Sequence, residues 1–299
     1  MNTKDSLEAS RPAVEPLLLP APAAPADEAC LARVEEMLDA TELAIAAVEA
    51  EESRLRERRE ERRRAAAALN LSVVIPVYNE RGTIREIVRR VQTVGLHQEI
   101  VIVDDFSTDG TRDILLELEQ QPDVRVVLHG YNRGKGAALR TALAHVEGDV
   151  VLVQDADLEY DPRDYERLLA PIREGRADVV YGSRFLRAEA PRRGPCASGF
   201  HRWGNRVLTW LSNRTTGQKL TDMETCYKAF RRGVLERISL KQERFGFEPE
   251  VTAKVSRLGY KILEVPIHYD GRSYAAGKKI GWKDGVNAVW CILRYAWRD

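Results

Sequence analysis

Apolar positions along this chain change rhythm twice. Up to residue 27 they keep no period. The stretch Glu15-Pro-Leu-Leu-Leu-Pro-Ala-Pro-Ala-Ala-Pro-Ala-Asp27 is rich in Pro and Ala, and repeated prolines remove backbone donors and fix φ against helix and sheet. Residues 1–27 are therefore expected to form a disordered tail. From Glu28 to about Ala68, Leu31, Val34, Leu38, Thr41, Ile45, Val48 and Leu55 fall largely on a 3-4 spacing, which predicts a long helix over 28–68 with one apolar seam. A seam needs something to pack on: a coiled-coil homodimer through 28–68, or the helix lying on its own domain or partly solvated. The charge run from Glu51 to Arg64 reads as a solvated face laced with i,i+4 pairs and has no catalytic part.

After Asn70 the texture becomes short β-branched runs at Leu71–Val77, Glu99–Val103, Val124–Leu128, Asp149–Val153 and Asp178–Tyr181. Amphipathic segments lie between them at Thr83–Val94, Thr111–Gln120, Lys135–Val146 and Pro162–Glu174. Such alternation predicts an α/β domain over 69–299, a mostly parallel sheet flanked by helices. Near the end, Lys278, Lys279, Lys283, Arg294 and Arg298 are interspersed with Ile280, Trp282, Val286, Val289, Trp290, Ile292, Leu293, Tyr295 and Trp297. That mixture predicts a C-terminal amphipathic helix lying in a bilayer interface; Trp290 and Leu293 packing on the domain as its final helix is the other reading, and both can hold at once.

Totals narrow the partners. Lys+Arg 46 against Asp+Glu 46 leaves no net charge on 299 residues, so the broad basic footprint of a nucleic-acid binder is absent. Cys30, Cys196, Cys226 and Cys291 form no C-x-x-C pair and read as isolated thiols of a reducing compartment. With no leader pattern and no run of about 18 apolar residues, the expected location is cytoplasmic, peripheral on the cytosolic membrane face.

In open α/β sheets ligands gather at the carboxyl ends of strands, and here those ends are acidic. Tyr78-Asn79-Glu80 follows the first strand, Asp104-Asp105 the second and Asp155-Ala-Asp157 the fourth. A two-residue step at the end of an extended strand aims both carboxylates to one side, where Asp155 and Asp157 can hold Mg²⁺ or Mn²⁺ through oxygen, and the metal can bridge a diphosphate. Ser107 or Asp109 is expected to cap the helix that follows the second strand, leaving Asp104 and Asp105 free to accept hydrogen bonds from a base or ribose. Asn132-Arg-Gly-Lys-Gly136 puts glycines and cations at a helix start that suits an anion, but it is neither a dinucleotide fingerprint nor a Walker A loop.

In this order the clusters resemble family 2 glycosyltransferases with the GT-A fold, most closely the dolichyl or polyprenyl phosphate mannosyl- and glucosyltransferases. The likeness covers about residues 71–282 and rests on Val74-Ile-Pro-Val-Tyr-Asn-Glu80, Val103-Asp-Asp-Phe-Ser-Thr-Asp-Gly-Thr111, Asn132-Arg-Gly-Lys-Gly136, Asp155-Ala-Asp157 and Gly182-Ser-Arg-Phe185. Downstream, Asp222-Met-Glu-Thr-Cys-Tyr-Lys228, Phe245-Gly-Phe-Glu248, Glu264-Val-Pro-Ile-His-Tyr269 and Arg272 followed by Gly277-Lys-Lys-Ile280 look like the second half of the lipid-phosphate subgroup. The stretch Arg272 to Lys279 has a longer gap than the R-x-x-G-x-S-K of many relatives, and the helix at 28–68 is not part of the shared pattern.

The resemblance implies inverting transfer of a sugar from a nucleoside diphosphate sugar to a polyprenyl (dolichyl or undecaprenyl) phosphate. It places donor contacts at Pro76, Tyr78, Glu80, Asp104, Asp105, Lys135 and Asp155, and catalytic roles at Asp157, Arg184 and Asp222. A phosphate acceptor is already ionised near neutral pH, its second pKa being about 6, so it needs cations more than a base. Arg184, Arg202, Arg206, Arg272, Lys278 and Lys279 are the candidates, with arginine offering bidentate geometry. Asp222 and Glu224 pair with these arginines, hold the acceptor site, or act as a base if the acceptor is a hydroxyl; the residues leave that open. His201 and His268 stand apart from any metal cluster and read as ordinary hydrogen-bonding residues. The rival of the same donor chemistry is a family 2 enzyme acting on a sugar or protein hydroxyl.

Overall fold

The computed structural model describes residues 28–67, 69–186, 199–244, 246–271 and 282–297. The chain divides into two compact units, Met1–Glu57 and Arg58–Asp299. Helix α1 (Glu28–Ala67) is continuous; Leu38, Ile45 and Val48 of its predicted seam are exposed. The expected disordered tail, 1–27, lies outside the described residues.

In the second unit the chain runs β1 (Leu71–Val77), α2 (Ile84–Val94), β2 (Glu99–Asp104), α3 (Thr111–Leu118), β3 (Val124–Leu128), α4 (Lys135–Leu143), β4 (Val150–Val153), α5 (Tyr165–Arg173), β5 (Val179–Ser183), α6 (Gly199–Thr216), β6 (Lys228–Arg231), α7 (Arg232–Leu235), α8 (Phe247–Arg257), β7 (Ile262–Pro266) and α9 (Trp282–Trp297). The seven strands form one sheet in the order β3-β2-β1-β4-β6-β5-β7. Every pairing is parallel except those of β6 with β4 and with β5. The middles of the central strands are apolar because helices cover both faces: Val73, Val74 and Ile75 of β1 and Ile100 to Val103 of β2 are fully buried. α2 lays Ile84, Ile87, Val88 and Val91 on the sheet, the 3-1-3 spacing of one helical face.

Topology positions the site. From β3 the chain crosses to the far side of β1 to lay down β4, so the crevice outside the carboxyl ends of β1 and β4 is the point where strand order reverses. Val77 is level with Asp104 and Val74 with Val153, which brings the segments after β1, β2 and β4 to one edge. β4 pairs with β1 only as far as Val74, so Pro76, which has no N–H to give, sits where no ladder bond is needed.

α6, α8 and α9 pack on one another beyond the sheet. α9 turns Ala288, Cys291, Ile292 and Tyr295 inward and leaves Val286, Trp290, Leu293 and Trp297 exposed. The terminal helix thus docks on the domain, but through Ala288, Cys291, Ile292 and Tyr295 and not through Trp290 and Leu293, the residues expected to pack, which stay exposed and give it an outer aromatic face. Among the described residues no helix is long and apolar enough to cross a membrane. The sequence reading missed α6, α7, α8, the antiparallel β6 and the edge strand β7; α8 is buried nearly all round, Glu248, Glu250, Thr252 and Lys254 included, so it carries no clear amphipathic stripe.

Candidate active site

The loops after β1 and β2 are laced together. Asn79 adopts φ 51°, a left-handed conformation that Asn tolerates better than most residues. Its N–H donates to Ser107 Oγ at 2.8 Å, and its Oδ1 accepts from Thr108 N–H at 2.8 Å. Glu80 N–H donates to Thr111 Oγ1 at 3.0 Å. Tyr78 stands exposed on the rim. Asp109 Oδ1 accepts from the N–H and hydroxyl of Thr111, a local turn ahead of α3, whose N-cap is Gly110 with no side-chain cap; Ser107 serves the neighbouring loop, so neither residue is the cap expected of it.

Asp104 and Asp105 are buried and are not free as expected. Asp104 Oδ2 accepts from Ser107 N–H at 3.0 Å and Arg112 Nε at 2.6 Å, whereas its Oδ1 is buried with no partner. Asp105 is fully committed: Oδ1 takes His129 Nδ1 and Arg133 N–H, each at 2.8 Å, and Oδ2 takes Gly134 N–H at 2.6 Å. This also corrects the reading of Asn132 to Gly136 as a cradle for a ligand anion, because the anion in that turn is the Asp105 carboxylate. The glycines have another use. Gly134 has φ 98°, and a Cβ on Gly134 or Gly136 would collide with the carbonyl oxygens of Glu243 or Gln242, whose backbone crosses the start of α4. Ala137 N–H donates to Glu243 O at 3.0 Å.

Lys135, the first residue of α4, reaches Asp155 Oδ1 at 2.9 Å and Glu248 Oε1 at 3.3 Å. Burial alone would lower its pKa, but Asp155 and its other anionic neighbours raise it well above the ordinary lysine value. Burial likewise opposes ionisation of Asp155, and Lys135 together with a hydrogen bond from Cys226 more than offsets it, so Asp155 titrates below the usual carboxylate range. Asp157 Oδ1 accepts Glu159 N–H at 3.2 Å across Leu158, which lies at φ 48°. Among the described residues no three His, Cys, Asp or Glu side chains converge as a cage for a metal ion. Two carboxylates at a strand end still fit Mg²⁺ or Mn²⁺, which are commonly held by one or two carboxylates with substrate phosphates and water.

The last residue of β5 is followed by Arg184, whose Nε and Nη2 donate to Asp222 Oδ2 and Oδ1 at 2.7 and 2.8 Å. Arg184 N–H adds a third bond to Oδ2 at 3.0 Å. Burial would raise Asp222, but Arg184 and the hydrogen bonds from Arg184 and Asn205 hold it below the usual range. Glu264 fixes this turn by accepting from Thr221 N–H at 2.7 Å and Asp222 N–H at 2.9 Å. The Arg184 guanidinium lies 5.2 Å from the Tyr269 ring, and Tyr269 Oη donates to Glu159 Oε2 at 2.7 Å. Through Tyr269 the Asp155–Asp157 segment and Arg184 are therefore neighbours. Arg202 and Arg206 are exposed on α6; Arg272, Lys278 and Lys279 lie outside the described residues.

Three polar groups behind the site were not singled out from sequence. Asn205 Nδ2 donates to Asp222 Oδ1 at 3.1 Å. Lys228, fully buried, donates to the carbonyls of Met223 and Thr225 and lies 4.5 Å from the Tyr181 ring. Glu264, quoted only within a motif, proves to be the brace of Asp222. Their one sequence signal was a charged or amide group inside otherwise apolar text. Glu224 has a buried Oε1 with no partner; burial, then the Glu248 carboxylate, push its pKa up to about 8. His268 Nδ1 lies 2.9 Å from Asp164 Oδ1, an ordinary structural bond as expected. Cys226 and Cys291 are free, buried thiols.

Residues 72–239 match the sequence profile of the family described as Glycosyl transferase family 2. The chain belongs to that family. This family 2 transferase is 31% identical over 220 residues to the undecaprenyl-phosphate 4-deoxy-4-formamido-L-arabinose transferase of Salmonella typhimurium (strain LT2), across 72% of this chain and 64% of that one. The protein of the same description from Salmonella newport (strain SL254) gives the same values, so the transferase spans somewhat under two thirds of the length of these relatives. Among solved structures it resembles the glucosyl-3-phosphoglycerate synthase of Mycobacterium tuberculosis in complex with Mn²⁺ and UDP-glucose, with a TM-score of 0.63, 20% identity, and coverage of 81% of this chain and 84% of that one. The same synthase with Mn²⁺, UDP and glucosyl-3-phosphoglycerate gives a TM-score of 0.62 at 21% identity, covering 81% and 85%. At that identity the likeness speaks for the GT-A fold.

Proposed function

We propose that this family 2 transferase moves a sugar, with inversion, from a nucleoside diphosphate sugar to a polyprenyl phosphate. The observation that carries the reading is the ion pair of half-buried Arg184 with buried Asp222, linked through Tyr269 to Glu159, two residues beyond Asp157. The name of the Salmonella relatives, which pairs a sugar with undecaprenyl phosphate, supports it.

The donor's nucleotide lies over β1 and β2, with Tyr78 and Glu80 on its rim, Pro76 and Asp105 shaping its floor, and Asp104 Oδ1 offering a buried acceptor to an N–H or O–H of the ligand. Asp157, backed by Asp155, would hold Mg²⁺ or Mn²⁺, which would supply Lewis-acid stabilisation of charge on the leaving diphosphate. Lys135 keeps Asp155 ionised and adds positive charge on that side. Arg184 receives the acceptor phosphate, for which a guanidinium offers a planar, bidentate geometry. Arg202, Arg206, Arg272, Lys278 and Lys279 are the further cations proposed for the acceptor phosphate. Asp222, held ionised and gripped by Arg184, is a weak base, which suits an acceptor already ionised and needing none. The outer face of α9 fits peripheral contact with the cytosolic membrane surface, and the exposed seam of α1 fits a homodimer.

Glu224 favours a second reading. A carboxyl that titrates at about 8 is a strong base once ionised and could serve a sugar or protein hydroxyl. Purified protein incubated with labelled nucleotide sugars, short-chain polyprenyl phosphates and hydroxyl acceptors separates the two. Lipid-linked product that survives Glu224→Gln supports the phosphate acceptor. Product on hydroxyl acceptors alone, abolished by Glu224→Gln, refutes it.

A further inference from the structure

α6 has two faces with different duties. Its inner face grips the turn that carries Asp222: Asn205 Nδ2 donates to Asp222 Oδ1 at 3.1 Å, Thr209 Oγ1 accepts from Met223 N–H at 3.1 Å, and Asn213 exchanges two bonds with Leu220, at 2.7 and 2.9 Å. Its outer face, at the complementary helical positions, shows Trp203 at 62% and Trp210 at 64% exposure, with Arg206, Val207 and Arg214 also exposed. The helix contains neither Asp nor Glu. Beside it packs α9, whose outer face repeats the combination: Trp290 and Trp297 are exposed, and the Arg294 guanidinium lies 4.7 Å from the Trp290 ring.

We propose that the outer face of α6 is the surface by which this protein docks on an anionic bilayer, and that docking seats an acceptor phosphate at Arg184 because the same helix holds the Arg184–Asp222 pair from its other side. The inference rests on the lipid-phosphate reading above and assigns to it a surface that sequence had placed on the last helix alone. Tryptophans belong at headgroup depth, where an apolar ring and a polar N–H are both satisfied, and arginines beside them meet lipid phosphate. The chemistry selects lipid over a second copy of this chain. Two such faces meeting about a two-fold axis would set arginine against arginine with no α6 carboxylate to relieve them, whereas anionic lipid supplies the missing charge. The link to chemistry is short: Asn205 touches Asp222, and Asp222 holds Arg184.

The test uses the full chain with Trp203→Glu and Trp210→Glu together, and Trp203→Ala with Trp210→Ala as the milder pair. Sedimentation with phosphatidylcholine vesicles, with and without phosphatidylglycerol, is measured without substrates. Transfer is then measured on a short-chain, water-soluble polyprenyl phosphate and on a long-chain one embedded in the vesicles. The expected result is vesicle binding weakened about tenfold or more, turnover on the embedded acceptor falling in proportion, and turnover on the soluble acceptor within about twofold of the parent. Unchanged vesicle binding overturns the proposal, as does an equal loss on both acceptors in a variant that melts like the parent. A parent dimer dissociated by the substitutions, with vesicle binding intact, would make this face a contact between copies and overturn it too. If the parent transfers to neither acceptor, the lipid-phosphate reading fails; the vesicle arm still decides whether α6 binds the bilayer.

Discussion

Replacing Glu224 by Gln should flatten the pH dependence of folding stability. The carboxyl is lifted from 4.5 to about 8, first by burial and then by Glu248, while Lys228 and Arg184 pull the other way and Asp222 adds to the rise. Between those two values the native carboxyl keeps a proton that the unfolded chain has released. The native state therefore binds more protons, and stability must fall as pH rises, by about 1.4 kcal/mol per pH unit for one proton. The contribution is fully present below the unfolded value near 4.5 and is gone once pH passes about 8. Glutamine has nearly the same shape, stays neutral and lacks this slope. Urea unfolding of both proteins at pH 5, 6 and 7 should show the variant gaining on the parent by about 1 kcal/mol with each unit, while groups common to both, such as Glu264, cancel in the difference. Parallel curves would refute the reasoning, since Glu224 would then ionise as an ordinary exposed carboxylate.

Asp157→Ala should lose nearly all transfer while keeping its thermal melt, and chelation should do the same to the parent; full activity in both experiments would remove the metal. Asp222→Asn should destabilise the fold by roughly 3 kcal/mol, the low end for a buried ion pair because the Arg184 side chain is partly exposed, since it removes the buried carboxylate that Arg184 grips; chemical denaturation reads this directly. Gly136→Ala should cost about 1–3 kcal/mol from overpacking against the Gln242 carbonyl, seen as a lower melting temperature. A chain beginning at Ala66 should retain turnover on a soluble short-chain acceptor, because the donor-side motifs all begin after Asn70; a folded but inactive product would give the removed segment a part in the site.

β1 and β3 were legible from sequence to the residue, and most of the helices between the early strands to within a few residues at their ends, because a buried parallel strand and an amphipathic helix write their periods directly into the order of apolar side chains. The placement of Asp155 and Asp157 just beyond β4 was legible for a related reason: the apolar run of that strand stops at Val153. The chain order could not say which polar groups would spend their valence on one another. Asp105 looked available for a ligand until the fold brought the Arg133 and Gly134 amides against it, 28 and 29 residues away in sequence. Gly134 and Gly136 looked like an anion loop until the backbone of 242–244 crossed them. Asp222 could have been a base until Arg184, 38 residues earlier, closed on it with two bonds. Periodicity and strand ends are local properties, set by the residue and its near neighbours; the state of a buried carboxylate depends on partners that only the crossing of the chain through the sheet brings within hydrogen-bond reach.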